Sequence, residues 1–279
     1  MISVITVTYN NFDDLHRTLD SLEKIDGIEK VVVNGGECAK TKEYLSDFDG
    51  IEISEPDKGI SDAFNKGVSR ASGDNVMFLN SGDVLLSPDY LLEAENIMKF
   101  NPEISFVHSD SLFDDRISGT IYMEPLKSAF FRVAPLGRGM PYNHLTMVIR
   151  KNVFDKIGLF KLHYKITMDF EWVCRLQKNS HKGHYVGSRP VVRMDGGGIS
   201  STTEQLVMWE SLKALKENHL LSIKNLAGII ERIILYLGRI SMEYVGMTET
   251  LGWLKRKKHN STWRLSHTQQ VKTTLSKVK

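Results

Sequence analysis

Cysteine is nearly absent from this 279-residue chain: Cys38 and Cys174 stand far apart, with no CxxC spacing. That excludes a disulfide framework and a cysteine-based structural zinc site, and it fits a reducing, cytoplasmic setting. An excess of one charge is absent as well. Lys and Arg number 36 against 34 Asp and Glu, a net charge of +2, so no global basic field for nucleic acid exists. No uninterrupted apolar run reaches the roughly 18 residues a spanning helix needs. The N-terminus has neither a basic leader nor a long apolar core, so it reads as a buried strand and not as a signal peptide. The turn after that strand lacks GxGxxG, which disfavours a dinucleotide-dependent oxidoreductase. The same turn, Tyr9-Asn10-Asn11-Phe12, also lacks the glycine-rich basic loop of a sugar-nucleotide nucleotidyltransferase. There is no internal repeat.

What is present is an ordinary globular composition, 41% hydrophobic and 25% charged, long enough for one sizeable α/β domain with an appendage. The first half alternates short β-branched runs with helical spacing. Strands are expected at 2–8, 31–34, 51–54, 75–79 and 104–108, and helices at 11–25, 41–48 and 61–71. A further helix should begin at Ser87-Pro88, with Ser87 as its N-cap. This alternation predicts a largely parallel sheet covered on both faces, with ligands beyond the carboxyl ends of the strands, where Thr8, Asn34, Ser54 and Asn80 lie. Residues 110–142, with Pro125, Pro135 and Pro141, read as strand and loop folded over that edge. A strand at 145–150, helices at 152–157 and 169–179, and a returning strand at 183–192 follow. From Glu204 the pattern is helical. The reading divides the chain into a catalytic domain over 1–215 and a helical extension over 216–279.

Two stretches carry the chemistry. In Ser54-Glu55-Pro56-Asp57-Lys58-Gly59-Ile60-Ser61-Asp62-Ala63-Phe64-Asn65-Lys66-Gly67 a Gly-bearing loop opens a helix, and free N–H groups at a helix start can meet anions. In Phe78-Leu79-Asn80-Ser81-Gly82-Asp83 an apolar strand runs into a carboxylate. A phosphate-friendly helix start beside a metal-friendly strand end suits a sugar nucleotide held by its diphosphate. The plainer readings are a capped surface helix and a Gly-Asp turn.

The order Val-Thr-Tyr-Asn, Asn-Gly-Gly, Glu-Pro-Asp-Lys-Gly-Ile-Ser-Asp-Ala-Phe-Asn-Lys-Gly, Asn-Ser-Gly-Asp, Met-Asp-Phe-Glu-Trp-Val-Cys-Arg-Leu and Gly-Gly-Ile-Ser resembles a family 2 glycosyltransferase of the GT-A fold. It is most similar to the subgroup that builds bacterial exopolysaccharides and O-antigens, colanic-acid-type enzymes among them. The resemblance runs from about residue 1 to about 215. It implies a loop Thr8-Tyr9-Asn10 that cups the nucleotide base, and a base or ribose contact at Asn34, where relatives carry Asp. It implies donor contacts from Asp57, Lys58, Asp62, Asn65 and Lys66. Asn80 and Ser81 fall in the family's Asp-x-Asp position, with Ser81 in place of the first Asp and Asp83 as the ligand of a divalent cation, Mn²⁺ or Mg²⁺. Asp169 matches the catalytic base, with Glu171 as its rival and Arg175 as the matching helix arginine. His144 matches an acceptor-side histidine, and Ser200 sits in the mobile loop near the diphosphate. Asp195 lies outside the matching pattern.

The resemblance thus implies a metal-dependent, inverting transfer of a hexose or deoxyhexose from a nucleoside-diphosphate sugar, UDP-linked before GDP-linked, to a glycan or lipid-linked saccharide. The competing class is a degenerate module that binds a sugar nucleotide without turnover, suggested by Asn34, Ser81 and Met168. The tail keeps helical spacing at Leu226, Ile229, Ile230, Ile233, Ile234, Leu237 and Ile240, followed by Lys255-Arg256-Lys257-Lys258. It suits an anionic membrane surface, packing on the domain, or a second copy. The oligomeric state is not legible.

Overall fold

The computed structural model describes residues 1–115, 120–124, 136–197 and 203–247. The nine-stranded sheet comprises β1 (Ile2–Thr8), β2 (Ile28–Asn34), β3 (Ile51–Ser54), β4 (Asn75–Phe78), β5 (Val84–Leu85), β6 (Ile104–Asp115), β7 (Thr120–Glu124), β8 (Val148–Arg150) and β9 (Lys182–Asp195). Its order is β3-β2-β1-β4-β8-β6-β9-β5, with β7 on β6. Strands β1 to β4 pair in parallel, β8 runs antiparallel between β4 and β6, and β9 is parallel to β6. The carboxyl ends of β1, β2, β3, β4, β6 and β9 therefore meet at one edge.

Alternation along the first strands explains why both faces are covered. Ile5, Val31 and Val33 enter one apolar core with Phe64, Phe78 and Trp172, while Ile2, Val4 and Val32 enter the other with Leu15, Leu22 and Tyr90. A period of two sends neighbours to opposite faces, so an unbroken β-branched run needs helices on each side. Those helices are α1 (Phe12–Asp20), α2 (Ala39–Ser46), α3 (Ile60–Arg70), α4 (Asp89–Phe100), α5 (Asn152–Ile157), α6 (Met168–Lys178), α7 (Glu204–Glu217) and α8 (Ile223–Tyr244).

Where the structure departs from expectation, polar side chains account for it. Helix α1 stops at Asp20 because Ser21 ties down the next turn: its hydroxyl donates to the Thr18 carbonyl (2.6 Å) and accepts from Leu85 N–H (3.1 Å). Ser87 is not a cap; its hydroxyl donates to the Pro190 carbonyl (3.3 Å) and α4 begins at Asp89. Strand β6 extends seven residues beyond the expected His108, since β9 continues to pair with it up to Asp114 and Asp195. Residues 144–146 form a 3-10 turn, with Leu145 N–H held by Asn143 Oδ1 (3.1 Å), so β8 starts only at Val148.

Candidate active site

At the common edge, the loop leaving β4 is pinned from both sides. Thr18 of α1 donates to the Asn80 carbonyl (3.2 Å) and accepts from Gly82 N–H (2.9 Å). Asp83 is 3% exposed. Its Oδ2 accepts from Asn80 N–H (3.1 Å) and its Oδ1 from Asp195 N–H (2.9 Å) at the end of β9. Gly82 has φ +102°, and a Cβ there would stand 2.7 Å from Asp195 Oδ2. Only glycine tolerates both the angle and that approach. Asp83 is thus held by the backbone of Asp195, whose own carboxylate lies over Gly82.

The electrostatics carry the mark of this arrangement. Burial pushes Asp83 up to about 7, against the pull of the Asp195 and Asn80 N–H donors, and the Asp195 and Asp14 charges add to the rise. A buried carboxylate beside another is where a cation would relieve the charge. Nearby, Asn80 Oδ1 and Ser81 Oγ are buried with no hydrogen-bond partner. A cavity of about 200 Å³ opens beside Gly82, lined by Arg17, Gly82, Asp114, Arg193 and Asp195. Among the described residues no group of three or more His, Cys, Asp or Glu is arranged to hold a metal. The donor set is a carboxylate pair with neutral oxygens beside it. It fits a hard cation that takes its remaining ligands from phosphate and water.

Asp169 lies in the first turn of α6 and is only half-buried, its Oδ1 accepting Phe170 N–H (2.7 Å). Burial raises its pKa, opposed by His144. His144 is itself held neutral by burial, opposed by Asp169, and its Nε2 has no hydrogen-bond partner. Its ring stacks on Phe78 of β4 (5.0 Å, 20°). Asp83 thus lies in the loop leaving β4, and Asp169 is coupled electrostatically to a histidine stacked on that strand. Asp169 is not the N-cap of its helix, for that position is Thr167. The loop before α6 is held by Glu210 of α7, which accepts from Lys165, Ile166 and Thr167 N–H and from the Thr167 hydroxyl (2.8–3.1 Å). Burial alone would raise the Glu210 pKa, but these donors outweigh it and hold it low.

Several other expected site residues have different partners. Asn34 is buried, with Nδ2 donating to Ser54 Oγ (3.3 Å) and Oδ1 accepting Gly36 N–H (3.0 Å), so its amide fastens a turn. Asn10 (φ +53°) accepts Glu37 and Cys38 N–H (2.8 and 3.0 Å) and so shapes the neighbouring loop. The Thr8 hydroxyl donates to Asn11 Oδ1 (2.6 Å), whereas Tyr9 stands 69% exposed at the rim. In the 55–66 segment, Asp57 accepts Gly59 N–H (2.8 Å) and Asp62 accepts Lys58 N–H (3.0 Å). Lys66 donates to the Pro56 carbonyl (2.7 Å) and pairs with Glu55 (2.9 Å) and Asp62 (3.4 Å). Asn65 donates to the Phe160 carbonyl (2.8 Å) and accepts Phe160 N–H (2.9 Å), a staple between α3 and the loop before α6. The expected phosphate cradle thus already holds two carboxylates at its mouth, and only Lys58 of its cations is exposed.

Glu171 and Arg175 are also engaged elsewhere. Glu171 is fully buried and contacts Arg175 (2.9 Å), Lys161 (2.9 Å) and Asn218 (3.2 Å). Arg175 caps the carbonyls of Ile157, Gly158 and Leu159. This network packs α6 against its surroundings and leaves Asp169 as the carboxylate of that helix toward His144. Ser200 lies outside the described residues. Sequence reasoning missed Asp195 and Glu210. Asp195 announces itself only through β9 pairing, and Glu210 only through a contact more than forty residues away in sequence.

Comparison with known proteins identifies the family and the fold. The family described as glycosyl transferase family 2 matches residues 3–158. An uncharacterised glycosyltransferase of Mycobacterium tuberculosis is 32% identical over 185 residues, 62% of this chain and 68% of that protein. A PGL/p-HBAD biosynthesis glycosyltransferase of Mycobacterium bovis is 25% identical over 269 residues, 92% of this chain and 98% of that one. Among solved structures, residues 1–349 of S. aureus TarS in complex with UDP-GlcNAc align with a TM-score of 0.59 at 16% identity, covering 77% of this chain and 66% of that one. The chain spans 39% of the longer TarS structure. The mannosyltransferase PcManGT of Pyrobaculum calidifontis, in complex with GDP-Man and Mn²⁺, aligns with a TM-score of 0.56 at 14% identity, over 94% of this chain and 82% of that one. With a profile match over more than half its length and the GT-A arrangement of its sheet, the chain belongs to glycosyl transferase family 2.

Proposed function

We propose that this transferase moves a hexose or deoxyhexose, with inversion, from a nucleoside-diphosphate sugar to a saccharide or lipid-linked saccharide in bacterial surface polysaccharide synthesis. The donor is read as a UDP-sugar, with a GDP-sugar as its rival. What supports the reading is a buried Asp83 held by Asp195 N–H in the loop leaving β4, with His144 stacked on Phe78 of that strand. Complexes of fold neighbours with UDP-GlcNAc and with GDP-Man and Mn²⁺ support the ligand class.

Asp83 and Asp195 would hold Mn²⁺ or Mg²⁺, which supplies Lewis-acid stabilisation of charge on the departing diphosphate. Gly82 keeps the space between the two carboxylates clear. Asp169 accepts the proton of the acceptor hydroxyl as that oxygen bonds to the anomeric carbon and the bond to the diphosphate breaks. One displacement inverts the centre and leaves no covalent intermediate. An exposed carboxylate is a weak base for an alcohol, and the raised pKa of Asp169 moves it toward the task. Neutral His144 packs against it without forming a competing fixed ion pair.

The test is donor turnover by the purified protein with a panel of UDP- and GDP-sugars, with and without Mn²⁺. Release of nucleoside diphosphate, or transfer to a saccharide, is the expected result. Thermal stabilisation by a sugar nucleotide with no turnover under any condition would instead identify a binding module.

A further inference from the structure

Helix α8 sits on the domain the opposite way round from most surface helices. The side toward the domain is largely polar. Gly137 N–H donates to Asn225 Oδ1 (3.3 Å), Gln205 donates to the Tyr236 hydroxyl (2.7 Å), and Arg239 pairs with Glu204 (2.5 Å). Ile229, 3% exposed, is the buried apolar side chain of that face. Away from it, Leu226, Ile230, Ile233, Ile234, Leu237 and Ile240 recur at the spacing of a single face, each between 39% and 62% exposed. Globular helices bury such a stripe; one left open over about four turns marks a surface with a partner.

Two further features say which partner. No helix among the described residues is long and apolar enough to cross a membrane, so the face can lie on a bilayer but not span it. The sequence that follows is strongly cationic. Residues 248–279 contain eight Lys and Arg and a single Glu, seven net positive charges, whereas the preceding 247 residues carry five net negative. Two copies joined through α8 would bring like-charged segments together. An anionic surface complements them.

We propose that α8 and the cationic segment after it dock the protein on an anionic lipid bilayer, with the apolar stripe of α8 lying in the interface plane. The helix packs closely on the turn that precedes His144. It crosses the 3-10 turn of Leu136–Arg138 so closely that a Cβ on Gly137 would stand 1.7 Å from the Asn225 carbonyl oxygen, and one on Gly228 would stand 2.8 Å from Arg138 N. That turn leads within six residues to His144. The proposal rests on the surface alone and not on the identity of the donor.

The experiment is co-flotation of the full-length protein with vesicles of phosphatidylcholine, with and without phosphatidylglycerol. Binding to the anionic vesicles is expected to exceed binding to the neutral ones by at least about tenfold and to fall with added salt. The pair Ile234→Glu and Leu237→Glu should lower it by at least about tenfold while leaving the circular dichroism spectrum unchanged, since both side chains are more than half exposed. Replacement of Lys255, Arg256, Lys257 and Lys258 by Gln should remove most of the preference for anionic lipid. Absence of vesicle binding, or binding indifferent to Ile234→Glu and Leu237→Glu, overturns the proposal. So does a concentration-dependent dimer abolished by those two substitutions without any vesicle binding, which would assign the face to a second copy. Donor-induced thermal shifts should be the same in every variant, so a failure here does not touch the transferase reading.

Discussion

Two loops leave the same edge of the sheet and have opposite fates. The 55–66 loop after β3 is the richer in charge, yet its charged groups are engaged locally: Lys66 with Glu55 and Asp62, Asp62 with Lys58 N–H, Asp57 with Gly59 N–H. The 80–83 loop after β4 has one charge, and two of its side-chain atoms remain unsatisfied: Ser81 Oγ and Asn80 Oδ1 have no hydrogen-bond partner, while Asp83 is pushed up to about 7. Charge density in sequence is therefore a poor guide to where a ligand is needed. Charges that share one short segment satisfy one another, whereas the 80–83 turn depends on partners from α1 and the end of β9.

The sharpest way to break this comparison is at the carboxylate beside His144. Asp169→Asn should lower turnover by about 10²–10⁴-fold with donor affinity unchanged; near-normal turnover would move the base elsewhere. Next comes the carboxylate pair. Asp195→Asn should weaken Mn²⁺ binding about 10–100-fold, and an unaltered titration would show that Asp195 merely positions Asp83.

The pH dependence follows from the same pair. Folded, metal-free protein keeps the Asp83 proton up to about 7, whereas the unfolded chain releases it near 4. Stability of the metal-free protein thus falls as pH rises from about 4 to 7. Mn²⁺ must displace that proton, so its affinity should drop by up to about tenfold per unit as pH falls below 7. Equal affinity at pH 6 and pH 8 would exclude Asp83 as a ligand.

The smallest effects belong to the self-satisfied loop. Asn65→Ala should cost about 2 kcal/mol of stability by orphaning both backbone groups of Phe160, and Lys66→Gln less than about 1 kcal/mol. Both should leave donor affinity within about twofold. A large loss of affinity from either would put this loop back in the donor site.

The fold was well foreshadowed because its cues are local. β-Branched runs and helical spacing located β1 to β4 and α3, and the motif order pointed to the GT-A architecture. Element ends were missed where a side chain reached across the fold, as Ser21 does to Leu85 and Ser87 to Pro190. In the site, Asp83 lies in the loop after β4 and Asp169 in the first turn of α6, the elements that the motifs imply. Asn34, Asn65 and Glu171 have scaffold partners that the motifs did not foretell, because a polar residue beside a motif can equally be a fastening of the scaffold and nothing in a linear sequence tells the two apart. The outward face of α8 was visible as a stripe but not as an orientation, because which side meets the domain is decided by Gln205, Glu204 and the glycine crossing.

The bond from Asp195 N–H to Asp83 joins residues 112 positions apart. A growing chain carries the Asn80–Asp83 turn early, but the donor that fixes one oxygen of Asp83 emerges only when β9 has been made. At roughly 5–20 residues per second, that interval lasts several seconds or more. Throughout it the half-made protein has its motif without a finished carboxylate pair. The hold on Asp83 is therefore completed only with β9, the last strand of the described sheet.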